Sequence, residues 1–80
     1  MLSYREVKMA VSYNKLWKKL IDMRMKKIEM QRLSGISGNV LSRLNKDEYV
    51  SMESIEKICT LLQCDIGDVM EIVFEERSAT

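Results

Sequence analysis

Apolar positions recur along this chain with two different periods. Between residues 13 and 73 they fall three and four apart, the spacing of one helical face. Leu16, Trp17, Leu20 and Ile21 predict a helix over 13–23, with Asn14 as its cap and Lys15, Lys18 and Lys19 off the stripe. Ile28, Met30 and Leu33 predict a second helix over 27–33, and Val40, Leu41 and Leu44 a third over 37–45. Ile55, Ile58, Cys59 and Leu62 predict a fourth, capped by Ser51 and ending at 62. After the turn Gln63-Cys64-Asp65, the set Ile66, Val69, Met70 and Val73 predicts a fifth helix over 66–73, capped by Asp65.

At the ends the period changes to two. In residues 4–11, Val7, Met9 and Val11 fall on one side, and Glu6, Lys8 and Ala10 on the other. That alternation is a strand signal. The other β-rich run is Glu71-Ile72-Val73-Phe74-Glu75. One or both termini are therefore expected to pair with each other or across a dimer. The competing expectation is a flexible N-terminal arm whose Arg5 and Lys8 touch a polyanion.

The second and third helical patterns lie in KKIEMQRLSGISGNVLSRLNK, residues 26–46, around the turn Ser34-Gly35-Ile36. Gly35 supplies the left-handed conformation that a sharp turn between helices requires. Ile36 is the apolar residue that tucks between them, and Ser37 stands where an N-cap belongs. Two short helices joined by such a turn make a helix-turn-helix. Asn45-Lys46-Asp47-Glu48 is a polar break, and Asp47 tolerates the left-handed region better than most residues. The expected fold is all-α: a compact five-helix domain, with short terminal strands as the one addition. Residues 1–11 form the arm or strand, 12–73 the helical core and 74–80 a tail.

The run from Lys26 to Lys46 resembles the helix-turn-helix of phage Cro/repressor-type transcriptional regulators. In that family a Gly, an aliphatic residue and a Ser or Thr open the recognition helix. The resemblance extends to Tyr13-Asn14-Lys15-Leu16-Trp17-Lys18-Lys19-Leu20-Ile21 as a first helix. It also takes in Val50 to Cys59 as a fourth helix and Cys64 to Val69 as the start of a fifth. It spans about residues 12–73 and is similar to the small single-domain bacterial branch of the xenobiotic response element family. A bare helix-turn-helix pattern has many false positives; five elements in order are far more specific.

The resemblance implies a double-stranded DNA partner and a homodimer, with the 37–45 helix in the major groove. By the same resemblance Gly38, Asn39, Ser42 and Arg43 read base edges, and Lys26, Lys27, Ser37, Asn45 and Lys46 contact the backbone. Asn39 and Arg43 are four apart and share a face. Asparagine matches adenine N6 and N7, and arginine matches guanine O6 and N7. Gly38 lets the helix approach closely. Three positions depart from the family pattern: Lys27 replaces a phosphate-binding Gln, Gln31 a small Ala, and Asp47 a Gly. The last places carboxylates at 47 and 48, where nearby loops usually meet phosphate.

Charge sharpens this picture. The net charge is only +1. However, residues 1–46 hold eleven Lys or Arg against three acids, while residues 47–80 hold two against nine. A basic half that carries the helix-turn-helix suits a domain with one face toward phosphate. At 80 residues this is one small domain with a marginal core. No apolar run reaches membrane-span length and no signal peptide opens the chain, so a cytoplasmic location is expected.

Cys59 and Cys64 are five apart, and no histidine is present. Neither a CxxC pair nor a metal site results, and both cysteines read as small buried hydrophobes, with a bridge or redox sensor the lesser reading. The seven methionines are scattered and read as gap-fillers rather than a plastic groove. No nucleophile–base pair and no Gly-rich phosphate loop appear, so no enzyme, cofactor or small-molecule ligand is expected. Two functions follow: a sequence-specific repressor or autoregulator, or a protein-interaction accessory subunit of a larger DNA-bound complex.

Overall fold

The computed structural model describes residues 7–76. Expectations for Arg5 and Glu6 lie outside the described residues. The order is β1 (Val7–Ser12), α1 (Asn14–Asp22), α2 (Lys27–Ser34), α3 (Gly38–Asn45), α4 (Met52–Leu62), a 3-10 turn (Ile66–Asp68) and β2 (Glu71–Glu76). Four helices surround one core, and the two strands pair antiparallel, from Val7 opposite Glu76 to Ser12 opposite Glu71.

The five-helix, all-α expectation is corrected on both counts. Only the first turn of the expected fifth helix forms, as the 3-10 turn. Asp65 Oδ1 accepts from the Ile66 N–H at 2.7 Å, and Asp68 Oδ2 accepts from the Asp65 N–H at 3.2 Å. The chain then turns into β2. A helix through this stretch would carry Gly67 in its interior and the stiff β-branched pair Ile72-Val73. The ladder with β1 supplies the backbone partners that helix would have made. Of the expected buried set, Val69 is buried and Met70 half-buried, while Ile66 and Val73 are exposed.

The core consists of Val11, Tyr13, Leu16, Leu20, Met30, Ile36, Leu44, Ile55, Ile58, Leu62 and Val69. Cys59 and Cys64 are free and half-buried against it. Ile21, Ile28 and Leu33, expected on core faces, are exposed. Each stripe is wider than the surface available to cover it, so α1 buries Leu16 and Leu20 with Trp17 half-buried, and α2 buries Met30. Asn14 does not cap α1. It is the first helical residue, and its N–H donates to Ser12 Oγ at 3.3 Å. Ser51 does cap α4, accepting from the Ser54 N–H at 3.1 Å.

Tyr13 ties three segments together. It is fully buried between the end of β1 and the start of α1. Its N–H donates to Asp47 Oδ1 at 3.2 Å, and its hydroxyl donates to the Glu48 carbonyl at 2.8 Å. Burial, then the Asp47 carboxylate, raises its phenol pKa above the ordinary value.

Three helices end in the same way without glycine. Arg24, Asp47 and Gln63 have φ of 57°, 56° and 54°. In each case the next N–H reaches back five residues: Met25 to the Leu20 carbonyl, Glu48 to Arg43 and Cys64 to Cys59. This is the longer bond of a Schellman ending.

Candidate nucleic-acid interface

The turn between α2 and α3 is built as its residues dictate. Gly35 has φ 89°, a conformation with steric cost for a residue bearing Cβ, and its N–H donates to the Gln31 carbonyl at 3.2 Å. Ile36 follows and is buried. Ser37 is extended and caps α3, its Oγ accepting from the Val40 N–H at 3.2 Å. The unusual Gln31 turns inward to the α2–α3 turn. It is half-buried, and its Nε2 donates to the Ile36 carbonyl at 3.2 Å, so its length brings a donor to the turn.

Leu44 anchors α3 in the core, with Val40 and Leu41 half-buried. Gly38, Asn39, Ser42 and Arg43 are all exposed. The helix therefore has an apolar side held by the domain and a polar side left to solvent. Asn39 and Arg43 stand one turn apart on that polar side.

The expected backbone-contact residues stand at the start of α2 and at the two ends of α3. Lys27, the first residue of α2, points its ammonium at Asn45, the last residue of α3, with Nζ donating to Oδ1 at 2.7 Å. The same Nζ lies 3.9 Å from the centroid of the Trp17 ring. Three helices thus fix one cation, through a hydrogen bond on one side and a cation–π contact on the other. Lys26 precedes α2 in extended conformation, and its N–H donates to Glu29 Oε1 at 2.8 Å. This is the acidic half of a capping box only, because a lysine side chain has no acceptor. Lys26 and Lys46 are exposed, and neither takes part in an ion pair among the described residues. Lys15 is different: it bonds the Gly67 carbonyl at 3.2 Å and pairs with Glu71 at 3.7 Å, fastening α1 to the root of β2.

Sequence reasoning placed Trp17 in the core and missed its second role under Lys27. The contact spans ten residues and two helices, and no local pattern signals it. It also read Asp47 as a charge facing phosphate. Asp47 is exposed, but its carboxylate accepts the Tyr13 N–H. Among the described residues no group of three metal-ligating side chains occurs, and no helix is long and apolar enough to cross a membrane.

A capped α3 with one buried and one solvent-facing side, set on α2 across a glycine turn, defines a helix-turn-helix DNA-binding domain. The chain belongs to the family of the Cro/C1-type HTH DNA-binding domain, which matches residues 15–75. It is also similar to the crystal structure of the transcriptional regulator VanUg, form II, at 48% identity and a TM-score of 0.80. That match covers 84% of this chain and 89% of the other. No curated protein matches. The chain is a Cro/repressor-type helix-turn-helix regulator. Its family is one of DNA-binding regulators, which is not an enzyme class.

Proposed function

We infer that this protein is a sequence-specific regulator of transcription that binds double-stranded DNA as a dimer and represses by occupying its site, its own promoter included. The observation that carries the reading is the solvent-facing side of α3, where Gly38, Asn39, Ser42 and Arg43 are exposed together beside Lys27. With α3 in the major groove, Asn39 offers a donor and an acceptor to adenine, and Arg43 offers two donors to guanine. Gly38 allows close approach, and Ser42 bonds either base edge or phosphate.

The backbone contacts position α3 without reading sequence. Lys26 and Lys46 have no ion-pair partner among the described residues and stand at the start of α2 and the end of α3. Ser37 Oγ accepts from the helix it caps and retains its hydroxyl proton to donate. Asn45 gives Oδ1 to Lys27 and retains its amide N–H groups for phosphate. Lys27 is held in place before DNA arrives, so less side-chain freedom is lost on binding.

Selection from a random duplex library, with the bound DNA sequenced, tests this. The expected result is a palindrome with half-sites about one helical turn, roughly 10 base pairs, apart. Exposed Ile72 and Phe74 favour the second reading, an accessory subunit that meets a protein partner. Salt-sensitive retention with no enriched sequence would decide for it.

A further inference from the structure

Cys59 and Cys64 carry chemistry that the helix-turn-helix does not use. Both are free and half-buried. They flank the left-handed ending of α4, where Gln63 has φ 54° and the Cys64 N–H donates to the Cys59 carbonyl at 3.1 Å. In a Schellman ending, the residues joined by this longer bond are also those whose side chains meet, commonly through an apolar contact. Here both are cysteines, and a side-chain hydrogen bond joins Cys59 to Cys64. The helix ending therefore brings two thiols together, although their spacing matches no CxxC pair.

The pair also meets solvent. Glu56, Cys59, Thr60, Gln63, Cys64 and Asp65 line a surface cleft of about 310 Å³. Among the described residues no group of three metal-ligating side chains forms. Two adjacent thiols suit sulfur exchange, which uses one attacking and one resolving sulfur. We propose that Cys59 and Cys64 are a dithiol modification site, oxidised to an intramolecular disulfide by a small neutral or cationic disulfide. The site lies outside α2 and α3 and stands independently of the DNA reading.

The exchange has two steps. The Cys64 thiolate attacks one sulfur of the reagent, RSSR. The S–S bond breaks, and RS⁻ leaves with the electron pair and takes up a proton. The Cys59 thiolate then attacks Cys64 Sγ in the mixed disulfide, forms the Cys59–Cys64 bond and releases the second RS⁻. Two protein thiols are oxidised and one RSSR is reduced to two RSH. The surroundings set the order. Burial, then Cys64, raises the Cys59 pKa to about 11 and holds its proton, so Cys64 attacks first. Once in the mixed disulfide, Cys64 bears no negative charge, and part of what held the Cys59 proton is gone. Charge selects the reagent. Glu56 and Asp65 line the cleft, and Asp65 and Asp68 both act on Cys59, so an anionic disulfide is opposed. The product ties the end of α4 to the segment that leads through the 3-10 turn into β2.

The test uses the reduced full chain without DNA, with cystamine as the cationic reagent and glutathione disulfide as the anionic one. After cystamine, then alkylation of any remaining thiol, the tryptic peptide Ile58–Arg77 holds both cysteines. It should be two hydrogens lighter than its reduced form and carry neither a cystamine half nor an alkyl group. Cys59→Ser should stop at a mixed disulfide on Cys64. Cys64→Ser should react at least about tenfold more slowly than the parent. Normalised to their rates with a free thiol peptide, cystamine should exceed glutathione disulfide at least about threefold at low salt, and less at high salt. The bridged protein should melt above the reduced one, and a reductant should reverse the change. Separate adducts on the two cysteines, a disulfide-linked dimer in place of the internal bridge, or a bridged protein that melts no higher overturns the proposal. An absent preference for cystamine overturns the class of reagent.

Discussion

Two of the three left-handed helix endings should respond to glycine in opposite directions. Gln63 and Asp47 share nearly the same φ, 54° and 56°, and the same backward hydrogen bond. A side chain in this region costs roughly 1 kcal/mol relative to glycine, and glycine's freer unfolded chain returns part of that gain. Gln63 is exposed and its side chain has no hydrogen-bond partner among the described residues. Gln63→Gly should therefore stabilise by about 0.5 kcal/mol. Asp47→Gly gains the same relief but removes the acceptor of the Tyr13 N–H, on a fully buried residue. Orphaning that donor costs about 1–3 kcal/mol, so the net change should be a loss of about 1–2 kcal/mol. In a domain of this size that is roughly 4–16 °C in Tm. Asp47→Asn keeps an acceptor and removes the charge, so it should retain most of the stability. Thermal and urea unfolding of the three variants provide the comparison. An Asp47→Gly protein as stable as Gln63→Gly would refute the assignment of Asp47 as a structural acceptor.

Lys27→Ala should weaken binding to all DNA sequences alike, and lower the slope of log affinity against log salt by about 1 for each phosphate that the side chain no longer neutralises. An effect confined to one base position in a salt titration over several duplexes would remove Lys27 from the backbone role. Arg43→Ala should cost about 1–3 kcal/mol on the preferred site and relax one position of it. Equal affinity of variant and parent in a competition assay would end that assignment. Burial, then the neighbouring Cys64, raises the Cys59 thiol pKa from 9.0 to about 11. The folded state therefore holds this proton more tightly than the unfolded state. The resulting stability is complete below pH 9 and falls as pH rises towards about 11. A urea midpoint that stays constant from about pH 8 to about pH 11 would contradict this.

The legible parts of the fold are those set by neighbours in sequence. Ser37 and Ser51 cap the helices they precede, Gly35 is left-handed, and Ile55, Ile58 and Leu62 are buried at helical spacing. Each depends on a bond or contact within a few residues. The fifth helix was not legible because its apolar spacing fits a helix as well as a turn followed by a strand. The choice rests on β1, some sixty residues earlier, which offers the ladder. The alternation in residues 4–11 and the run Ile72-Val73-Phe74 did carry that signal, but neither strand is stable without the other. The misplaced core residues share another cause. Periodicity shows that Ile21, Ile28 and Leu33 lie beside a buried stripe, but not where the covering elements stop.

The candidate interface divides along the same line. Exposure of Gly38, Asn39, Ser42 and Arg43 follows from the helix period once Leu44 is inside. The arrangement of the flanking charges does not. Lys27 meets Asn45 eighteen residues later and Trp17 ten residues earlier. Asp47 meets Tyr13 thirty-four residues back. These two long-range arrangements change what the charges mean. A lysine in a basic run becomes a positioned cation, and an acid that seemed to oppose phosphate becomes part of the joint between α3, α1 and β1. The sequence's charge asymmetry is therefore not a uniform field of one sign. Lys26 and Lys46, in no ion pair among the described residues, stand at the ends of α2 and α3, while the Asp47 carboxylate accepts the Tyr13 N–H. Removing the Asp47 charge should accordingly raise affinity for DNA of any sequence by a small, salt-sensitive factor, and leave untouched the sequence preference proposed for Asn39 and Arg43.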